Sequence, residues 1–425
     1  MTFDSILTAI ESTLRGPLQN THMQHFSAHA LLNDQLHLDS VLIINLLLHL
    51  ETDHGIDVPE REFSKDAFKT VADLIHSILG SEAEKPIGVT TASPSPEGAE
   101  ITVHCVVSCI CAAIRRQEGV DFRPFYFGTW DSDFALTPDM RLSYHSPEMS
   151  HAHFFQWATK LYGLQIRSWY DHSQNKSANL IHFETCLAQK HPSEDLMVLV
   201  DMYHLPEREN KFNQNPFPHF VLIEGTADPD SWHMNDADYR WRGDLPRAAI
   251  LNAMAQPTVA GGYVLRWDQV APPKPADVAE YFNKTLLADH NPLTSAVRDI
   301  VTHHASPERL PAMQDALREL PVLSLRKYAF EHAFAFFWEE LDTPFADFDA
   351  ECDRIEALCE GYRQFHYQAA RAAHTQDQTL IPEVLQALDR LDRLEYDIKA
   401  ALTAQFDQWC ALKLAPKTET QGELA

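Results

Sequence analysis

Basic residues are in short supply. The chain has 425 residues and sets 34 Lys and Arg against 61 Asp and Glu, a formal charge of −27 with histidine neutral. A surface of that sign lacks the basic footprint that nucleic-acid backbones require. It is also repelled by anionic membrane surfaces. Long apolar runs are lacking too, since none approaches the ~20 residues needed to span a bilayer. The opening MTFDSILTAIEST places Asp4 where a secretory leader carries positive charge, so no signal peptide is expected. Cysteines number only seven and are scattered except for Cys105, Cys109 and Cys111. Without an export signal they are expected to be reduced thiols in a cytoplasmic protein. A glycine-rich phosphate loop is missing as well, because Gly261-Gly262 stands alone as a turn. His151 and His153, which alternate as on a strand, and the adjacent His303 and His304 lack a third ligand at metal spacing, so no metal site is expected.

What is present suffices for sizeable cores: 45% of residues are hydrophobic and 22% charged, and the length suggests two or three domains. One break is clear. Residues 81–100, SEAEKPIGVTTASPSPEGAE, have the composition of a flexible linker and no helix or strand period. A small all-α domain is expected before it, over residues 1–80. Phe3–Leu14, Ser40–Asp53 and Asp66–Leu79 carry helical patterning, and a turn in the Ile56–Phe63 loop would complete a four-helix bundle.

Within that domain, Leu38-Asp39-Ser40-Val41 is followed by Leu46, Leu50-Glu51, Gly55-Ile56-Asp57-Val58 and Lys69-Thr70-Val71-Ala72-Asp73-Leu74. This spaced ensemble resembles an acyl carrier protein over essentially the whole domain. The resemblance implies a covalent 4′-phosphopantetheine on Ser40, attached by a phosphopantetheinyl transferase and charged by an upstream acyl-loading enzyme. A phosphodiester at a helix N-terminus meets the positive end of the dipole and free N–H groups. The bland alternative is that Asp39 and Ser40 only cap a buried helix. Val41–Ile44 and Leu46–Leu48 make the second helix apolar nearly all round, where carriers usually show an acidic face. This predicts that the helix docks against the rest of the chain, or against a second subunit in a homo-oligomer.

After the linker, Val106, Cys109, Ala113 and Ile114 fit one helix stripe, which puts Cys105 at or just before a helix N-terminus, where the dipole supports a thiolate. Leu196–Val200 reads as a strand leading into Asp201-Met202-Tyr203-His204-Leu205-Pro206. Pro218–Gly225 reads as a second strand opening with His219, and Trp232–Asp236 supplies an acid. Phe125–Trp130 reads as core with a tight loop.

The order Cys, His, Asp or Asn resembles papain-like cysteine hydrolases. The His104-Cys105 pair, the Asp201–Pro206 segment and the His219–Gly225 strand look like the butirosin biosynthesis protein H family, acyltransferases that move an acyl group from a carrier protein to an amine. That resemblance implies Cys105 as nucleophile, His219 as base and Asp236 as orienter, with Asn235 a rival for the third role. It places Asp201, Tyr203 and His204 along the site. Ala99–His104 contains no Gln to serve as the oxyanion donor that papain-like peptidases place there, which leaves His104 or backbone N–H groups for that task.

Residues 101–274 are thus expected to form an α+β papain-like acyltransferase core. Residues 275–425 are expected to form a largely helical region, with Leu385, Leu388, Leu391, Leu394, Ile398, Leu402 and Phe406 on one stripe. The expected activity is transfer of an acyl or aminoacyl group from the fused carrier, through Cys105, to a small-molecule amine in specialised-metabolite biosynthesis. A carrier-linked thioesterase or cysteine peptidase would use the same triad with water. A non-catalytic docking platform would use none of it.

Overall fold

Apolar residues at helical spacing bury Ile6, Ile10 and Leu14 on one side of the first helix, α1 (Phe3–Arg15), whose start is held by a reciprocal cap between Thr2 and Ser5. The computed structural model describes residues 1–33, 35–38, 40–56, 58, 69–80, 101–132, 134–144, 150–205, 215–342 and 346–415, without the side chains of residues 40, 41, 346 and 347. Helix α2 (Ser40–His54) opens at Ser40, and α3 (Val71–Ile78) starts where Thr70 and Asp73 form a capping box. That cap sets the helix start at Val71; residues 66–68, where the pattern began, lie outside the described set. So do Asp39, the linker at 81–100 and most of the loop expected to add a fourth helical turn. Among the described residues the unit has three α-helices and a 3-10 turn at Met23–His25.

Two residues from a distant helix complete this small core. Tyr367 and Ala370 of α13 (Ala346–Thr375) are buried with Leu46, Leu50 and Leu74. Around them, Glu51 of α2 accepts the Tyr367 hydroxyl at 2.5 Å and pairs with Arg371 at 2.9 Å. Asn45 accepts a hydrogen bond from the Gln314 amide. Of the two partners its composition allowed, the apolar second helix therefore meets the rest of its own chain.

The rest of the chain is organised on a six-stranded antiparallel sheet. Its strands are β3 (Gln165–Ser168), β4 (Glu194–Asp201), β5 (Pro218–Gly225), β6 (Ser231–Asp236), β7 (Trp241–Pro246) and β8 (Gly262–Arg266), in the order β3-β8-β4-β5-β6-β7. A small hairpin, β1 (Ala135–Leu136) and β2 (Leu142–Ser143), stands apart. Strand β4 reads as a continuous apolar run because both its faces are covered. Leu196, Val198 and Val200 pack toward α6 (Lys176–Gln189) and α7 (Arg247–Ala255), whereas Met197 belongs to the core of α4 (Cys105–Ile114) and α5 (Ala152–Tyr162).

That second core runs without a break into the C-terminal helices, α8 (Pro275–Thr285), α9 (Pro292–His304), α10 (Met313–Ala316), α11 (Leu320–Leu325), α12 (Ala329–Leu341), α13 and α14 (Ile381–Lys413). Phe125, Phe127 and Trp130, read as core, are fully or almost fully buried there, and Phe282 stacks on Phe406 at 4.1 Å. A Cβ on Gly128 would sit 2.0 Å from the Tyr281 hydroxyl, so the 3-10 turn at Arg123–Gly128 needs glycine for α8 to approach. The predicted stripe on α14 is buried at Leu388, Leu391, Ile398, Leu402 and Phe406.

A charge cluster lies inside this seam. Lys327 Nζ is 2.8 Å from Asp131 and 2.6 Å from Glu395, and Lys399 Nζ is 2.8 Å from Asp131. Two cations against two carboxylates leave no net buried charge, the condition under which such a group is tolerated. Burial opposes the charged ammonium of Lys327, yet Asp131 and Glu395 outweigh it and its pKa is raised. The cluster fastens the C-terminal helices to the loop that follows Trp130. Among the described residues no helix is long and apolar enough to cross a membrane.

Candidate active site

Cys105 is the first residue of α4, and His104 before it is extended, at φ −162° and ψ 114°. The opening turn of a helix has no intrahelical acceptors for its first N–H groups. Here the N–H of Cys105, Val106 and Val107 are those groups, and the Ser108 N–H is the first to bond back, to the His104 carbonyl at 2.8 Å. The start of the helix is fastened from a distance by Asp238. Its carboxylate accepts the Ser108 hydroxyl at 2.8 Å, and its carbonyl accepts the Thr102 hydroxyl.

His219 is the second residue of β5 and is buried. Its Nε2 lies 3.0 Å from Asp236 Oδ1, and Cys105 is close enough to the ring to influence its protonation. With Nε2 on Asp236, Nδ1 is the nitrogen left to exchange a proton with sulfur. The Tyr239 ring stacks on the imidazole, 5.0 Å between centroids and 14° between planes, and its N–H also bonds Asp236 at 3.2 Å. Burial disfavours the charged imidazole, but Asp236 and then Cys105 outweigh it, so the pKa of His219 is raised well above its ordinary value. The site thus favours an imidazolium near the sulfur.

Strand alternation separates the two rivals for the third position. Along β6, Trp232, Met234 and Asp236 are buried, while Asn235 is turned away and accepts from Arg242 at 3.2 Å. His104 is buried, with Nδ1 lacking a partner on another residue. Burial, then Arg326 and His151, hold its pKa well below the ordinary value, so the ring is neutral at neutral pH. Its ring meets Phe154 at 5.1 Å and His151 at 5.5 Å. His151 precedes α5 and His153 lies inside it, so the strand alternation expected of that pair is replaced by a helix start.

In the segment expected to line the site, the Asp201 carboxylate is taken up by its own neighbours. Asp201 accepts the N–H of Tyr203 at 3.2 Å and of Phe217 at 2.9 Å, and the Thr258 hydroxyl at 2.6 Å. It caps the 3-10 turn Met202–His204 and holds the connection between β4 and β5. Tyr203 is exposed and meets the His204 ring; neither residue bonds to Cys105, His219 or Asp236. Asp238 and Tyr239, by contrast, lie at the heart of the site without any pattern in the sequence to mark them. Ser40 opens α2 in the N-terminal unit.

Replacing Asp236 by Asn should keep the shape of the pair and remove the charge that opposes desolvation. The pKa of His219 should then fall, and turnover at neutral pH should drop on the order of 100-fold. Carbon-13 histidine titration with a pH–rate profile checks both. An unshifted His219 resonance would show that Asp236 does not set its charge.

Two family signatures cover most of the chain, the DUF6005 N-terminal domain over residues 100–270 and the DUF6005 C-terminal domain over residues 276–423. Residues 1–99 lie outside both. The chain is also 38% identical over 316 residues to petrobactin synthase of Bacillus anthracis, which takes in 74% of this chain and 97% of that protein. With both domains in tandem and a relative matched over nearly its whole length, the chain belongs to the DUF6005 family.

Proposed function

We propose that this protein is a biosynthetic acyltransferase, which takes an acyl group from a carrier-bound thioester onto Cys105 and passes it to an amine. The observation that carries the reading is Cys105 at a helix start, near a buried imidazole that Asp236 holds by its Nε2. The relative's name, petrobactin synthase, supports synthesis of a specialised metabolite over peptide cleavage.

Ser40 would carry 4′-phosphopantetheine, whose terminal thiol supplies the acyl group as a thioester. The fit rests on its place at the first position of a 15-residue helix, where backbone N–H groups and the dipole favour a phosphodiester. A phosphopantetheinyl transferase and an acyl-loading enzyme would be the partners, and the cytoplasm the setting.

The thiolate of Cys105 adds to the thioester carbonyl, and the N–H groups of the first α4 turn face the developing oxyanion. Neutral His104 is a further donor there. The bond from carbonyl carbon to the departing sulfur breaks as His219 delivers its proton to that sulfur. The amine then attacks acyl-Cys105 and gives a proton to His219. Breaking the bond to Cys105 releases the amide and restores thiolate and imidazolium. Asp236 stays ionised throughout and holds the ring.

The test uses the full chain, phosphopantetheinylated, loaded with a simple acyl group and mixed with a panel of primary amines. An amide by mass spectrometry is the expected product. Free acid alone would make the protein a hydrolase, and an acyl group that stays on the arm would leave only a docking role.

A further inference from the structure

We propose that His49, Asp53 and His374 form a binding site for a divalent transition metal of the zinc class, at the seam between the N-terminal helical unit and the C-terminal helices. His49 and Asp53 are four residues apart on α2 and so share a face, with His49 Nδ1 2.8 Å from Asp53 Oδ2. Across the seam, His374 in the last turn of α13 brings its ring to 5.1 Å from that of His49, at 83° between planes. One donor atom from each of the three lies within 4.8 Å of the others.

Zinc bonds of roughly 2.0–2.1 Å in a tetrahedron hold donor atoms about 3.3 Å apart, so side-chain movements of about 1.5 Å close the site. Two imidazoles and one carboxylate suit zinc and its neighbours rather than calcium or magnesium, which prefer all-oxygen shells. His49 is half-buried, while Asp53 and His374 are exposed, so an ion can enter from solvent and keep water as the fourth ligand. Thr52 places its hydroxyl 3.2 Å from His374 Nε2, an outer contact that orients the ring. The ligands come from both sides of the seam, so a bound ion would pin α2 to α13 beside the Glu51 contacts. The site does not depend on the acyl-transfer reading.

Cobalt(II) and zinc titrations of the full chain in a Cys105→Ala background, which removes a competing sulfur ligand, test it. One equivalent should bind, with cobalt d–d bands but no sulfur-to-metal charge-transfer band. His49→Ala and His374→Ala should each weaken binding at least about tenfold. Zinc should also slow hydrogen exchange over residues 45–54 and 371–375, and lose that effect in His374→Ala. No binding, a sulfur band, or affinity unchanged by both substitutions would overturn the proposal.

Discussion

Cys105→Ala is expected to cut acyl transfer by roughly three to six orders of magnitude, the range seen when the nucleophile of a cooperating unit is removed. The competing route is direct attack of the amine on the carrier thioester with His219 as general base, and it would survive the substitution. The geometry favours the covalent route. Cys105 is partly exposed at the start of α4, near an imidazole that is biased toward its charged form. Cys109 and Cys111 provide the contrast. Both are buried deeper in the helix, Cys109 with its sulfur 3.5 Å from the Phe220 carbonyl, and burial pushes the Cys109 thiol well up from its ordinary pKa. Cys109→Ala and Cys111→Ala should therefore keep most of the activity, at a small cost in packing. Acid quenching of the loaded chain before amine is added, then peptide mapping, should find acyl on Cys105. Transfer retained in Cys105→Ala, with acyl only on the carrier arm, would establish direct aminolysis.

Ser40→Ala should abolish modification of the N-terminal unit. Incubated with coenzyme A and a broad-range phosphopantetheinyl transferase, the native chain should gain the mass of one phosphopantetheine group and the variant none. Transfer from the fused carrier should vanish with it. A soluble acyl thioester offered in its place should still acylate Cys105 in the variant, because Ser40 opens α2 in the N-terminal unit while Cys105 opens α4 in the body. The pair of readouts separates two failures. If the variant gains the same mass, another residue carries the arm. If the native chain gains none, the N-terminal unit is not a carrier.

The elements that carry the candidate site were largely legible in the sequence. Helix starts and strand alternation are local properties, set by the spacing of apolar residues and by caps. Val106, Cys109, Ala113 and Ile114 fix a helix whose first residue is Cys105, and the run from Pro218 to Gly225 is a strand with His219 near its start. The same alternation, once β6 is in register, buries Asp236 and turns Asn235 out. The second helix, apolar nearly all round, announced a buried element without saying what would bury it.

Tertiary structure decided the rest, because polar partners far apart in sequence leave no period behind them. Asp238 meets Ser108 across 130 positions, and Lys399 meets Asp131 across 268. The Glu51–Tyr367 contact spans 316 and that between Thr52 and His374 spans 322. Asp201 shows the converse. Its setting before Tyr203 and His204 resembled a lining residue, yet three donors, from the turn, from Phe217 just before β5 and from Thr258, claim its carboxylate. A buried carboxylate needs its hydrogen bonds satisfied wherever they can be found, and only the folded chain determines whether backbone or substrate supplies them.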